Sequence, residues 1–258
     1  MAIEWVTAFV DLPAASFSAG RDFWLAVTGY ELSAPRGETG QFATFLPPKG
    51  DPYLRLQRID TEQSACHIDL HTGDVRDLSA QATSLGATVI GDHGSYAVLA
   101  SPVGMTFCIV GHHGETERPA PKQWPEGQRS LMDQVCFDVP PDGYDEEVRF
   151  WGSFTGWDLT ATSEGYFERL VSPPAMPLRF LLQRLDDDDP SDRHAHLDLA
   201  CDDVAAEQLR HEELGARTVR VGDGWITLQA PGGDVYCITG RDPSTGTQRS
   251  FDPATGPQ

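Results

Sequence analysis

Two histidines and two cysteines recur at matched places in the two halves of this 258-residue chain. His67 opens the string HIDL and His196 opens HLDL, while Cys108 lies in FCI and Cys237 in YCI. Imidazole nitrogen and thiolate sulfur are ligands that Zn²⁺ and similar cations bind, and a histidine beside a cysteine can activate the thiol as a nucleophile. Where neither chemistry operates, the cysteines are half-buried thiols and the histidines form hydrogen bonds within the pocket.

The repeat extends well beyond these residues. FWLAVTGYEL from Phe23 returns as FWGSFTGWDL from Phe150, and SPVGMTFCIV from Ser101 returns as APGGDVYCIT from Ala230. A repeat of this length and order indicates duplication of a whole domain, because solenoid units repeat every 20–50 residues. Residues 112–127 are rich in proline, glycine and charge and predict a linker. We therefore expect domains at 1–111 and 128–241, followed by a flexible tail at 242–258.

Composition limits the classes of partner. The formal net charge is −20, from 39 acidic and 19 basic residues, which argues against nucleic acid and anionic membranes. The sequence shows no secretory signal and no apolar run long enough to cross a bilayer. Its five cysteines form no CxxC pair, which is typical of reduced thiols in a cytoplasm. We expect a cytoplasmic monomer or homodimer whose partner is a small organic molecule, and a solvated acidic loop at Asp186–Pro190.

Each half divides into two units, and each unit reads as one strand, one helix and then further strands. In the first unit Pro13 is expected to open a helix that ends at Gly29. In the second unit Asp74 is expected to cap a helix that Gly86 stops. The same order recurs in the second half. The sequence therefore predicts an α+β protein built from four βαβββ modules.

Strand alternation assigns a set of side chains to one face of each sheet. Ile68 and Leu70 must pack under the helices, so His67 and Asp69 point to the opposite face. Wide aromatic side chains on that face favour a sheet curled around a ligand over one washed by solvent. The residues expected to contact the ligand are Trp5, Arg55, Gln57, His67, Asp69, Tyr96 and Cys108 in the first half, and Met132, Gln134, Gln183, His196, Asp198, Trp225 and Cys237 in the second.

The ordered motifs HIDL or HLDL, LGA and a PxG turn, each found twice, resemble those of the vicinal oxygen chelate superfamily. That superfamily includes glyoxalase I, extradiol dioxygenases, fosfomycin-resistance enzymes and bleomycin resistance proteins. The resemblance implies two tandem glyoxalase-like domains, each with paired βαβββ modules curled into a cup. It also implies that His67 and His196 match a metal-ligating histidine of the family. The family's last-strand ligand is usually glutamate, and here Cys108 and Cys237 replace it.

The missing glutamates decide the functional expectation. A catalytic metal usually needs three protein ligands, so we expect metal-independent binding or sequestration of an organic ligand, with no cofactor. If a divalent metal binds, its expected ligands are His67, Cys108, His196 and Cys237. The alternative is a metal-dependent lyase or dioxygenase of the vicinal oxygen chelate type, and no catalytic residue is assigned.

The two cups are expected to differ in lining. Arg55 offers the first cup a partner for a carboxylate or phosphate on the ligand. Trp225 offers the second cup a surface on which flat apolar molecules can stack. A further reading keeps one cup as the site and the other as a scaffold.

Overall fold

The computed structural model describes residues 2–161, 165–186 and 194–248. The first half contains β1 (Trp5–Pro13), α1 (Phe17–Thr28), β2 (Glu31–Leu32), β3 (Phe42–Leu46), β4 (Leu54–Ile59), β5 (Ala65–Thr72), α2 (Val75–Ser84), β6 (Thr88–Asp92), β7 (Tyr96–Ala100) and β8 (Thr106–Gly111). The second half contains β9 (Lys122–Gln123), β10 (Arg129–Val139), a short 3₁₀ turn (Pro141–Gly143), α3 (Tyr144–Thr155), β11 (Asp158–Ala161), β12 (Phe167–Val171), β13 (Arg179–Arg184), β14 (His194–Cys201), α4 (Val204–Glu213), β15 (Arg217–Val221), β16 (Trp225–Gln229) and β17 (Val235–Gly240). The predicted βαβββ order is confirmed in both halves.

Each half forms one mixed sheet in which two modules meet along a central antiparallel pair. In the first sheet β1 pairs with β5, and the parallel strands β4 and β8 flank them. The full order is β2-β3-β4-β1-β5-β8-β7-β6, and β11-β12-β13-β10-β14-β17-β16-β15 repeats it. The predicted α+β class with paired βαβββ modules in each half is confirmed, and the cups are open rather than closed barrels.

The helix boundaries follow from local chemistry. Gly29 ends α1 with a φ of 64°, a left-handed conformation that favours glycine. The Asp74 carboxylate accepts a hydrogen bond from the backbone N–H of Asp77 and caps α2, as predicted. The expected helix start at Pro13 is wrong, because Pro13 is the last residue of β1, paired with Ile59, and α1 begins at Phe17.

Two predicted segments extend beyond the described part of the chain. The acidic loop expected at Asp186–Pro190 lies outside the described residues from 187 onward, and so does the expected tail from 249 onward. Residues of the tail that the structure describes make contacts: Arg179 donates to the carbonyl of Thr245, and Arg118 to that of Ser244.

The first helix of each half packs against the last strand of the other half. Phe107 on β8 lies against Trp151 of α3, with ring centroids 5.2 Å apart. At the matched place, Tyr236 on β17 lies against Trp24 of α1 at 5.0 Å. All four side chains are almost fully buried and belong to a single hydrophobic core. The two halves are therefore joined by reciprocal packing across one shared core.

Polar contacts repeat the same reciprocity. The Gln81 amide of α2 donates to the carbonyl of Phe154 at the end of α3. The Arg210 guanidinium of α4 donates at 3.2 Å to the carbonyl of Val27 in α1. Each second-module helix thus contacts the end of the other half's first helix, which fixes the relative placement of the two cups.

Candidate functional site

A cavity of about 1640 Å³ opens on the cup face of the first sheet. It continues past the loop before β5 to residues 232–236 of the second half. The wall combines basic, acidic, thiol and aromatic side chains, among them Phe9, Asp11, Arg36, Phe42, Arg55, Gln57, His67, Asp69, Tyr96 and Cys108. The cavity is larger than the roughly 300–1,000 Å³ of most small-molecule sites, but its apolar wall with a few convergent polar groups is typical of them.

His67 is held from behind by Asp11, a residue that strand alternation alone did not single out. The β1–β5 register places Phe9 opposite His67 and Asp11 two residues further along the same face. Asp11 Oδ2 lies 2.5 Å from Nδ1 of His67, and the Phe9 ring stacks on the imidazole at 4.3 Å. This fixes the ring and leaves Nε2 available. Burial alone would lower the pKa of His67, but the hydrogen bond and charge of Asp11 outweigh it and raise that pKa.

Asp69 and Cys108 complete a group of three donors with His67. They face each other across the parallel β5–β8 pair, and ligand atoms of the three residues lie within 4.8 Å of one another. Arg55 donates to Asp69 Oδ2 at 3.0 Å and lies 5.5 Å above the Phe9 ring. Burial is the main cause that raises the pKa of Asp69.

The thiol of Cys108 is not activated as a nucleophile. Burial first, and then the charge of Asp69, raise its pKa to about 12. A catalytic thiol needs the opposite shift, toward the thiolate at neutral pH. The raised pKa therefore argues against cysteine nucleophilic chemistry at Cys108.

Of the remaining residues expected at the first cup, two line the cavity and one lies in the hydrophobic core. Gln57 lines the cavity, and Tyr96 lies at its rim, where its ring stacks on His93 at 4.4 Å. Trp5 does not line the cavity: it is 1% exposed, and its indole N–H donates to the Pro52 carbonyl at 3.1 Å. Its expected contact with a ligand is wrong because the side chain belongs to the core.

The matched face of the second half is a closed ionic cluster. Asp138, the counterpart of Asp11, lies 2.7 Å from Nδ1 of His196 and 2.9 Å from Nε2 of His194. Burial opposes charge on His196, but Asp138 outweighs it and holds the pKa of His196 well above its usual value. Despite its own burial, Asp138 has a pKa well below its ordinary range, because the charge of His196 favours the carboxylate. Asp138 thus holds His196 by the same contact that Asp11 makes with His67, and it contacts His194 in addition.

The other residues predicted at the second cup are bonded to one another. Nε2 of Gln134 donates to Asp198 Oδ2 at 2.5 Å, Nε2 of His196 lies 3.6 Å from the sulfur of Cys237, and the Cys136 thiol lies 3.8 Å from the oxygen of Gln183. None of the residues predicted there lines the large cavity. Arg220 lies 5.2 Å above the Trp225 ring, on which we expected a ligand to stack. Stacking on Trp225 stays a prediction.

A β-bulge corrects the placement of Met132. Met132 pairs with Leu199 and Gln134 pairs with Asp198, so one extra residue, Asp133, interrupts the alternation of β10. In a bulge, two residues of one strand lie opposite one residue of the partner strand. Side chains before the bulge therefore point to the face opposite to the one that simple alternation predicts. Met132 is therefore in the core beside Leu199 rather than on the face of Gln134.

Residues 7–110 and 134–239 both match the family model described as a glyoxalase-like domain. The chain belongs to this glyoxalase-like domain family. A comparison with curated proteins gives no match. The repeat expected from the sequence is thus two copies of one family domain.

Several solved structures share the fold. A mutant of 4-hydroxymandelate synthase from Streptomyces coelicolor is 13% identical, with a TM-score of 0.61 over 95% of this chain and 98% of that chain. A halotolerant catechol dioxygenase is 15% identical, with a TM-score of 0.61 over 92% and 87%. The 2,2',3-trihydroxybiphenyl 1,2-dioxygenase of Sphingomonas wittichii is 14% identical, with a TM-score of 0.59 over 98% and 97%. At these identities the likeness shows the fold.

The expectation that no metal cofactor is involved is wrong. The described residues include four groups of three side chains that could hold a metal ion, and the similar structures include dioxygenases. The group in the first cup fits a divalent cation because it combines imidazole nitrogen, carboxylate oxygen and sulfur. Asp11 also supplies the carboxylate that metal-bound histidines usually have behind them. Among the residues that the structure describes, no helix has the length and apolar character needed to span a membrane.

Proposed function

We propose that the first cup binds a divalent metal ion through His67, Asp69 and Cys108 and acts as a dioxygenase-type enzyme on a small anionic aromatic molecule. One observation carries the proposal: three donor atoms gather within 4.8 Å in the wall of a large cavity, with a carboxylate behind the imidazole. A bound metal would supply Lewis acidity to substrate oxygens. The alternative is a lyase of the same superfamily, and oxygen consumption distinguishes it from a dioxygenase.

The other residues of the cup orient the donors and limit access. Asp11 holds the proton of His67 on Nδ1, so that Nε2 faces the cavity. The stacked Phe9 ring prevents rotation of the imidazole. Arg55 neutralises Asp69 in the absence of a cation, because the guanidinium lies 3.0 Å from the carboxylate. These contacts preorganise the site before any ligand enters.

The wall indicates the class of substrate. Arg36 and Arg55 bring two guanidinium groups to the cavity of a chain whose net charge is −20. Such local positive charge favours an anionic group, which guanidinium binds in a bidentate manner. Phe9, Phe42 and Tyr96 add aromatic surface. A carboxylated aromatic ring with two adjacent hydroxyl groups fits this combination.

Oxygen consumption tests the proposal directly. Protein stripped with a chelator is reloaded separately with Fe²⁺, Mn²⁺, Zn²⁺ and Ni²⁺, and oxygen uptake is followed with carboxylated catechols. We expect uptake with a redox-active metal only. Turnover of a 2-oxoaldehyde thiol adduct without oxygen uptake would identify the lyase instead, and no turnover of either class would overturn the proposal.

The repeat provides a matched control. Cys108→Ser should remove activity and weaken metal binding, because the soft donor is lost. Cys237→Ser changes the corresponding residue of the second half, which does not line the cavity, and should leave both unchanged. The opposite pattern would show that the second cup is the active one.

A further inference from the structure

A second cluster of metal-ligand side chains lies near the end of β5, and none of its three members lines the large cavity. His71 is 0% exposed, and its Nε2 lies 2.8 Å from Thr7 Oγ1. Its Nδ1 makes no hydrogen bond among the described residues. That nitrogen lies 3.9 Å from Oε2 of Glu115, too far for a hydrogen bond.

His112 and Glu115 reach this place from the segment that follows β8. The backbone N–H of His112 donates to the Thr72 carbonyl at 2.9 Å, which anchors the segment beside β5. Nδ1 of His112 is 3.4 Å from Glu115 Oε2 and is also without a hydrogen bond among the described residues. One ligand atom from each of His71, His112 and Glu115 lies within 4.8 Å of the others.

Two buried ring nitrogens without hydrogen bonds are costly in a folded protein. Buried polar atoms are nearly always paired, and each exception requires an explanation. Here both unpaired nitrogens surround the same carboxylate oxygen. Glu115 Oε2 accepts a hydrogen bond from the backbone N–H of His113 at 3.1 Å, so a cation among the three ligand atoms would satisfy the two nitrogens.

We propose that His71, His112 and Glu115 form a second divalent-cation site, separate from the donor group in the first cup, that fastens the interdomain segment onto β5. Two imidazoles and one carboxylate suit Zn²⁺ and other borderline divalent ions, and no sulfur takes part. Thr7 fixes the His71 ring from its other nitrogen, as outer partners of metal-bound histidines do. Because His112 and Glu115 come from the segment between the halves, the ion would order that segment.

Cobalt titration of the chelator-stripped full chain separates this site from the cup. Thiolate ligation of Co²⁺ gives intense near-ultraviolet charge-transfer absorption, whereas ligation by nitrogen and oxygen gives only weak visible bands. We expect one Co²⁺ equivalent of each kind. Cys108→Ser should remove the charge transfer alone, so failure of the cup proposal would leave the second equivalent intact.

Glu115→Gln keeps the shape of the side chain and should remove the equivalent that lacks charge transfer, as should His112→Ala. His113→Ala changes the exposed neighbouring histidine and should keep that equivalent. Circular dichroism confirms that each variant is folded. Loss of the ion should also speed proteolytic cleavage between residues 112 and 121 in the wild-type chain. Retention of this equivalent in the folded Glu115→Gln variant, or its absence from the wild type, would overturn the proposal.

Discussion

Replacement of Asp11 by asparagine tests whether the carboxylate behind His67 prepares the first cup for a metal. The contact is short, at 2.5 Å, and the side chains of His67 and Asp11 are only 18% and 7% exposed, so solvent can replace little of it. Loss of an outer-shell partner typically costs 10–100-fold in metal affinity, and we expect about 100-fold here. This corresponds to about 2.8 kcal/mol.

The assay is competition between the protein and a chelator for Zn²⁺ at pH 7, with Asp138→Asn as the matched control. Asp138 makes the same contact with His196 in the second half, and neither of these two residues lines the cavity. Its replacement should leave the affinity of the first cup unchanged and instead lower the free energy of unfolding by about 3–5 kcal/mol, because the buried His196 loses its charged partner. Equal Zn²⁺ affinity in the Asp11→Asn variant and the wild type would refute the role assigned to Asp11.

Three further outcomes follow from buried groups. The pKa of Asp138 is lowered, so this residue stabilises the fold above about pH 4, and the stabilisation is lost as pH falls through the folded-state pKa. The pKa of His196 is raised, so its contribution is complete below about pH 6.5 and is lost as pH rises through the folded-state pKa. The stability difference between wild type and Asp138→Asn should therefore be greatest between these values in urea denaturation at a series of pH values. Burial raises the pKa of Asp234 to about 6 from 3.8, so ionisation of this carboxyl lowers the stability of the fold by about 3 kcal/mol. Asp234→Asn keeps an acceptor for the indole of Trp24 and should stabilise the protein at pH 8. If the added stability does not decrease below pH 6, burial of the ionised carboxylate is not its cause. Trp151→Ala should cost about 3–5 kcal/mol and lower the unfolding midpoint of both halves together, whereas two separate transitions would argue against a shared core.

The fold could be predicted from the sequence because each motif that indicates it occurs in both halves. Ordered motifs in two copies fixed the module order, and alternation along β5 put His67 and Asp69 on one face, as the structure confirms. Asp11 was missed because the helix expected from Pro13 ended the first strand too early, whereas β1 runs through Pro13 and places Asp11 on the same face as Trp5. The signal was nevertheless present: Asp11 and Asp138 occupy matched places in the two first strands.

Two other features depend on information that side-chain periodicity does not carry. The bulge at Asp133 inserts one residue into β10, and no alternation rule anticipates such an insertion. The contact of Asp138 with His194 has no counterpart at Asp11, which pairs with Ala65, although both aspartates raise the pKa of the histidine they face. The metal expectation failed because it counted only the missing glutamates and left out Asp69, which faces Cys108 across the β5–β8 pair.

The reciprocal packing of α1 and α3 makes the chain equivalent to a homodimer whose subunits have been joined end to end. A twofold dimer interface has the same property, because each contact occurs twice with the partners exchanged. Separately expressed halves should therefore complement each other rather than fold alone, and a gene split in the linker should still yield an assembled protein. In such an arrangement the first half depends on the second for its folded structure. Mutation of Tyr236 or Trp151 would therefore impair the first cup, although neither residue belongs to the first half.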